Sequence, residues 1–138
     1  MSQTTTITLT QVVAAPPERV YAAWTDPERL ATWWWPQLPD TTYDLDPVVG
    51  GGYRIRSEAA GIGVHGTYLA LDPPHRLELT WVWEDGPDDG PEEHVVVDLA
   101  PTGTGTLVSV THAAADAASV AGYTQGWTDC LARLGPAS

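Results

Sequence analysis

The chain of 138 residues contains no lysine and no phenylalanine, and it has a single cysteine. Without lysine, the chain has no residue that could form a Schiff base with a carbonyl substrate. With only Cys130, a disulfide within the chain is excluded, and we expect the protein in a reducing cytoplasm. Because phenylalanine is missing, the aromatic bulk comes from seven tryptophans and five tyrosines, whose side chains each carry a polar atom for hydrogen bonding.

Positive charge is also scarce, since six arginines stand against 18 acidic residues and the net charge is −12. Such a charge repels phosphate backbones and anionic lipid surfaces, so we expect neither nucleic acid nor membrane as a partner. No apolar run reaches membrane-spanning length, and residues 1–6 lack the features of a signal peptide. Much of the negative charge lies in residues 84–93, where glycine and proline indicate a solvated hairpin loop rather than a metal site.

The sequence shows none of the common motifs for metal, nucleophile or phosphate chemistry. The histidines (His65, His75, His94 and His112) lack the H-x-H or H-x-x-x-H spacing of a metal site, so we expect no metal and no cofactor. No Gly-x-Ser-x-Gly elbow is present. Residues Gly50–Gly52 precede a strand rather than a helix, which does not fit a phosphate-binding loop.

The first forty residues predict one strand followed by two short helices. Residues Thr4–Val13 alternate in a way typical of a strand with one wet face. The pair Pro16-Pro17 ends that strand and favours the first turn of a helix over Glu18–Trp24. Asp26-Pro27 is a second helix start, with a capping carboxylate before proline, and this helix must end before Pro36.

From residue 42 to residue 112 the apolar residues recur with period two, which is typical of strands. Glycine and proline clusters divide this stretch, and the short connections demand antiparallel neighbours. In the fourth segment, Leu77, Leu79, Trp81 and Trp83 share one face. The predicted strands are 42–47, 52–58, 63–72, 76–84, 93–100 and 105–112.

Helical spacing returns from about Asp116 to Leu134. Gly122 and Gly126 lie on or near the apolar stripe, and each lowers helix stability by about 1 kcal/mol. We infer that the helix backbone closely approaches either the sheet or a ligand. No repeat or linker divides the chain, so we expect one domain over residues 1–138. The element order predicts an α+β fold, a curved seven-stranded antiparallel sheet with two short helices and a long C-terminal helix over an internal cavity.

Residues 13–30, VAAPPERVYAAWTDPERL, resemble the opening of the START-like SRPBCC superfamily. More narrowly, they resemble the branch named after the activator of the heat-shock-protein-ninety ATPase. The resemblance implies a helix-grip fold, whose members bind lipids, hormones or polyketides, cyclise polyketides or serve chaperones. The resemblance extends over nearly the whole chain, with further motifs in the expected order. These are Trp33–Pro36, Gly51–Arg54, Gly66–Tyr68, Pro73–Leu77, Thr80-Trp81, Gly105-Thr106, Thr111-His112 and Gly126–Leu131.

A candidate ligand pocket follows from the aromatic residues that we predict to face inward. Small-molecule pockets are mostly apolar with a few placed polar groups, and indole and phenol rings supply both. The alternative is that these rings fill the core, although so many large rings are hard to pack without a gap. The set comprises Trp34, Trp35, Tyr53, Trp81, Trp83, Tyr123 and Trp127.

Three further residues complete the candidate ligand-binding set. His65 and His112 lie on strands, where each is either a proton shuttle in the pocket or a hydrogen-bonded histidine of the core or edge. Arg54 lies opposite the aromatic face if its strand is regular. A bulge at Gly50–Gly52 would turn Arg54 inward, as an anchor for a carboxylate or phenolate ligand.

These observations favour a protein that binds a hydrophobic, aromatic or polyketide-like small molecule in an internal cavity. One alternative is a small cyclase or dehydratase that uses His65, His112 or Tyr123 as its acid–base group. Another is a co-chaperone or protein-interaction domain, in which the acidic segment contacts a basic protein partner. The sequence leaves monomer and homodimer open, and its wealth of alanine, glycine, proline and threonine suggests a bacterial source.

Overall fold

The computed structural model describes residues 5–38, 40–86, 89–103, 105–115 and 117–137. The expected starts at Thr4 and Asp116, and residues 87–88 of the acidic segment, lie outside this description. The strands are β1 (Thr5–Val13), β2 (Thr41–Leu45), β3 (Gly52–Ser57), β4 (Ile62–Asp72), β5 (Arg76–Glu84), β6 (Asp89–Thr102) and β7 (Gly105–Ala114). The helices are α1 (Pro17–Thr25), α2 (Pro27–Leu30) and α3 (Val120–Ala137), with a 3₁₀ turn at Ala117–Ser119 before α3.

All seven strands pair antiparallel in one sheet, in the order β1-β7-β6-β5-β4-β3-β2. The two short helices connect the edge strands β1 and β2, and α3 packs against β1. The expected α+β helix-grip architecture is confirmed, and the sheet is not closed into a barrel. Among the helices in the described ranges, none is long and apolar enough to cross a membrane.

The second helix is shorter than its sequence pattern predicts. The Asp26 side chain accepts a hydrogen bond from the backbone of Glu28 at 3.1 Å, as the capping signal predicts. Regular α-helix nevertheless ends at Leu30, and turns carry the chain onward. The indole N–H of Trp33 donates to the carbonyl of Ala23 at 3.0 Å, which fixes this turn segment against α1.

Only part of the acidic segment 84–93 is the solvated hairpin loop that the sequence predicts: Asp85, Gly86 and Glu92 are exposed, but both ends of the segment belong to strands. Strand β5 includes Glu84, and β6 begins at Asp89 rather than at residue 93. The side chains of Glu84 and Glu93 are buried, with residue exposures of 4% and 6%. Buried carboxylates require charge or hydrogen-bond partners, and both find them on neighbouring strands, as described below.

The core lies between the concave face of the sheet and the helices. Its sheet side consists of alternate residues of the central strands, such as Val95 and Val97 of β6 and Val108 and Val110 of β7, all fully buried. Strand periodicity therefore predicted the buried face correctly. The helical side is mainly tryptophan and leucine: Trp24, Leu30, Trp33, Trp34, Trp127, Leu131 and Leu134.

Gly66 of β4 leaves room for a tyrosine that crosses the inner face of the sheet. The hydroxyl of Tyr53 on β3 donates to the carbonyl of Thr80 on β5. The Tyr53 ring therefore passes over the strand between them, where a Cβ on Gly66 would lie 2.8 Å from the ring and 2.1 Å from the Thr80 oxygen. This close approach requires glycine at position 66.

We expect the substitution Gly66→Ala to lower the free energy of unfolding by about 2 kcal/mol or more, because overpacking forces the backbone or Tyr53 to move. Gly52→Ala is the matched control, since its Cβ would make only an ordinary contact of 3.6 Å with the Gly66 carbonyl. Urea unfolding of both variants measures the difference. Equal stabilities for the two variants would contradict this account of Gly66.

Candidate functional site

A cavity of about 310 Å³ lies between β5, the turns after α2, and the first half of α3. This volume falls at the lower end of the range typical of small-molecule sites. Most of its wall is aromatic. The lining residues are Trp34, Trp35, Trp81, Trp83, Asp85, Ser119, Gly122, Tyr123, Gly126, Trp127 and Cys130.

The aromatic rings of the wall contact one another mainly edge to face. The centroids of Trp34 and Trp127 are 5.3 Å apart with an interplanar angle of 90°. Those of Trp35 and Trp83 are 5.8 Å apart at 85°. Trp81 and Trp83 on β5 are nearly parallel, with centroids 6.4 Å apart and an angle of 8°. Such pairs stabilise the wall beyond simple area burial.

A buried hydrogen-bonded chain, which we call the Glu93 network, holds α3 to the sheet behind this wall. The indole N–H of Trp127 donates to Nδ1 of His112 at 3.0 Å. His112 must therefore carry its proton on Nε2, which donates to Oε1 of Glu93 at 2.9 Å. The other oxygen of Glu93 accepts from the backbone N–H of Ala115 at 2.8 Å, and this carboxylate also acts on the pKa of the Tyr123 phenol.

Burial controls the protonation of the titratable groups at the site. It lowers the pKa of His112, although Glu93 partly opposes the shift. It raises the pKa of the Tyr123 phenol, and Glu93 adds to that rise. Burial also raises the pKa of the Cys130 thiol to about 11, so the thiol that lines the cavity is a small neutral group at neutral pH.

Two features of the wall carry a cost in stability. The backbone of Trp35 has a φ of 54°, in the left-handed region that bulky residues rarely adopt. The indole N–H groups of Trp34 and Trp81 are buried and find no acceptor within the described part of the chain. Strained or unsatisfied groups of this kind cluster at functional sites.

The glycines of α3 face open space. A Cβ at Gly122 or Gly126 would meet no described atom within 4 Å, and both residues line the cavity. Of the two explanations that the sequence left open, approach to the sheet is therefore wrong. The missing side chains enlarge the cavity instead.

Arg54 and His65 lie on the outer face of the sheet, away from the cavity, which corrects their place in the candidate set. Both bond to Glu84: Nη2 of Arg54 lies 2.8 Å from Oε1, and Nδ1 of His65 contacts Oε2. Arg56 adds a third bond at 3.0 Å. The Gly50–Gly52 run does not shift the alternation of β3, so Tyr53 points inward and Arg54 outward.

Glu84 is the centre of this outer cluster. Burial alone would raise the pKa of its carboxyl, but hydrogen bonds from Arg54 and His65 outweigh burial and lower that pKa to about 2. The cluster thus keeps a buried carboxylate ionised at neutral pH. Two of the six arginines of the chain bond to Glu84, so their guanidinium groups lie on the outer face and not in the cavity.

The structure brings six of the ten candidate residues together at the cavity: Trp34, Trp35, Trp81, Trp83, Tyr123 and Trp127. Tyr53 faces inward but lines a smaller space of about 30 Å³ deeper in the core. His112 lies behind the wall, fully buried in the Glu93 network.

Sequence reasoning missed Glu93, Asp85, Ser119 and Cys130. The alternation of Glu93 with the inward residues Val95 and Val97 was a usable signal that this carboxylate is buried. Among the residues that the structure describes, no group of three or more His, Cys, Asp or Glu side chains is placed to hold a metal ion.

Comparisons with known proteins agree with this fold. The model of the family described as Activator of Hsp90 ATPase homolog 1-like protein matches residues 14–137. The comparison with curated proteins gives no match.

Three solved structures illustrate the likeness. Protein CV1439 from Chromobacterium violaceum is 31% identical, with a TM-score of 0.78 over 95% of this chain and 94% of that one. CalU16 from Micromonospora echinospora is 28% identical, with a TM-score of 0.76 over 97% of this chain and 76% of that one. DynU16, a protein in the dynemicin biosynthetic locus, is 24% identical with a TM-score of 0.80, and shares the fold. The match with DynU16 covers 95% of this chain but only 46% of that one, so the present chain spans about half of its length.

The lowered pKa of His112 predicts how stability depends on pH. An unfolded histidine has a pKa of about 6.5, so below that pH the unfolded chain binds a proton that the folded chain resists. His112 therefore contributes stability above pH ~6.5 that is lost as the pH falls, with a slope of at most ~1.4 kcal/mol per pH unit. Urea unfolding at pH 7.5 and 5.5 should show a smaller loss in His112→Gln than in the unmodified protein.

The control is His75→Gln, because His75 is exposed and lies in a turn. This variant should lose as much stability on acidification as the unmodified protein. An equal loss in His112→Gln would contradict the buried neutral imidazole. A folded-state NMR titration of His112 with a midpoint near 6.5 would contradict it independently.

Proposed function

Because this chain belongs to the family of Activator of Hsp90 ATPase homolog 1-like proteins, we propose that it binds an apolar, aromatic or polyketide-like metabolite in the cavity between β5 and α3. The observation that carries this proposal is a preformed cavity of about 310 Å³ with a mostly aromatic wall. Burying a ring-sized ligand there removes apolar surface from water at about 25 cal/mol per Å². The cost of ordering the ligand reduces that gain.

The proposal is supported by features of the wall that lower stability and would not be needed in a packed core. Gly122 and Gly126 lower the stability of α3 by about 1 kcal/mol each and contribute open space instead of packing. The left-handed backbone of Trp35 is also unfavourable, by roughly 1–3 kcal/mol. A ligand that fills the cavity gives these costs a function.

The comparison with DynU16 supports a metabolite as the ligand. That protein lies in the dynemicin biosynthetic locus. One fold serves many functions, so the likeness suggests the class of ligand rather than its identity.

The catalytic alternative has less support from the site. Both ring nitrogens of His112 are occupied by Trp127 and Glu93, and His65 lies on the outer face. Tyr123 reaches the cavity, but burial and Glu93 raise the pKa of its phenol, so it stays protonated at neutral pH and is not available as a base. Binding without turnover is therefore the function that we propose.

The protein-interaction alternative relied on the acidic segment as a surface for a basic partner. Two of its carboxylates, those of Glu84 and Glu93, are buried and bonded within the protein. They cannot contact a partner without breaking these bonds, which weakens that alternative.

A direct test replaces a glycine of α3 at the cavity with a larger residue. We expect Gly126→Leu to weaken binding of the neutral fluorescent probe N-phenyl-1-naphthylamine by roughly tenfold or more, or about 1.4 kcal/mol, because the new side chain enters the ligand space. Gly126→Ala should bind less well than the unmodified protein while its helix gains about 1 kcal/mol. Probe fluorescence measures affinity, and thermal unfolding measures stability.

The matched control is Ala132→Leu, which makes a similar change at an exposed position of α3. It should leave probe affinity unchanged. If Gly126→Leu binds the probe as tightly as the control does, or if the unmodified protein does not bind it, the cavity is not the ligand site.

A further inference from the structure

We propose that the cavity selects organic cations, specifically ligands with an alkylammonium group held among Trp81, Trp83 and Tyr123 beside Asp85. This inference rests on the proposed function, since it names the class of ligand for the same cavity. It is argued from the charges at the cavity and from the arrangement of the rings.

The charged groups at the cavity have one sign. Asp85 is the one ionisable carboxylate among the described lining residues, and no arginine or histidine lines the wall. Asp85 lies close enough to Tyr123 to act on it electrostatically. Arg54, which a bulge before β3 would have turned inward as an anchor for an anionic ligand, is bound to Glu84 on the other face of the sheet. An anionic ligand would therefore meet a carboxylate without a cation to balance it.

One positive charge lies beyond the wall, beside Cys130. Arg133 lies behind Cys130, where its Nε donates to the carbonyl of Trp33 at 3.0 Å and its Nη2 lies 3.6 Å from the Cys130 sulfur. Tyr123 lies about two helical turns before Cys130 on α3, and Asp85, which follows β5, acts electrostatically on Tyr123. A ligand cation is thus favoured at the Asp85 end.

Three rings at that end contact one another and together form one corner of the cavity wall. Trp81 and Trp83 are nearly parallel, at 8°, while the Tyr123 ring stands at 88° to the first and 84° to the second. Centroid distances are 6.0 to 6.4 Å. The negative faces of aromatic rings attract ammonium groups, and several such rings beside a carboxylate are the side chains that recognise alkylated ammonium in aromatic cages.

The experiment compares two ligands of the same shape that differ in charge, phenyltrimethylammonium and tert-butylbenzene. Each competes with N-phenyl-1-naphthylamine for the unmodified protein at low salt. We expect the cation to bind at least about tenfold more tightly. This is the gain in affinity expected from one desolvated cation–π contact together with a nearby carboxylate. Asp85→Asn should reduce this preference, measured as the ratio of the two affinities, severalfold.

The matched control is Asp98→Asn, which removes the same charge at the far end of the sheet, where Asp98 lies 3.8 Å from Arg76. It should keep the full preference for the cation. If Asp98→Asn and Asp85→Asn reduce the preference equally, net protein charge explains it and the inference is wrong.

The outcomes separate this inference from the proposed function. If the naphthylamine probe binds but tert-butylbenzene competes as well as phenyltrimethylammonium, or the cation fails to compete, the cation inference is wrong and the proposed function stands. If the probe does not bind the unmodified protein at all, the proposed function fails, and the cation inference falls with it.

Discussion

The Glu93 network is the interaction on which the rest of the architecture depends. It links β6, β7 and α3 through Glu93, His112 and Trp127, at N···O and N···N distances of 2.9 and 3.0 Å. Burying an imidazole and a carboxylate in a core is costly unless each is bonded, and here both oxygens and both ring nitrogens have partners. The network, together with Leu131 and Leu134, fastens the middle and end of α3 to the sheet. The glycine-containing first half of the helix faces open space, and the cavity lies there.

Two glutamates a few residues apart organise the two faces of the sheet. Glu93 faces inward and binds His112, whereas Glu84 faces outward and binds Arg54, Arg56 and His65. In a chain with only six arginines, this outer cluster concentrates positive charge on one face. The inner face is left with aromatic rings and carboxylates. The electrostatic character of the cavity therefore follows from where the few basic residues are placed.

The sequence predicts the fold well because burial alternates regularly along the central strands β6 and β7 and most of β5. Trp81 and Trp83 on β5 and the valines of β6 and β7 face the core, as period two predicts. The same rule placed Arg54 outward, and the glycine run before it did not change the register. The helical stripe with Tyr123, Trp127 and Cys130 was also recognisable, and all three line the cavity.

The sequence-based predictions were wrong for residues whose burial depends on partners distant in sequence. Glu84 and Glu93 sit in a segment whose composition indicates solvent, but their burial is decided by Arg54, His65 and His112 on other strands. Local composition holds no information about such pairs. Likewise, no local pattern shows that Gly126 faces a cavity rather than the sheet, since that depends on how far the helix stands from the strands.

The central claim is that a ligand site lies between α3 and the sheet, next to a core that does not change when the ligand binds. The most direct test is the indole ¹H–¹⁵N NMR spectrum during titration with N-phenyl-1-naphthylamine. The seven tryptophans give separate reporters. The account predicts that the indole signals of Trp83 and Trp127, at the cavity, shift on titration. The signal of Trp33, whose N–H is bonded to the Ala23 carbonyl in the core, should stay in place. A spectrum in which Trp33 shifts as much as Trp83 and Trp127, or in which no indole signal moves, would contradict the account.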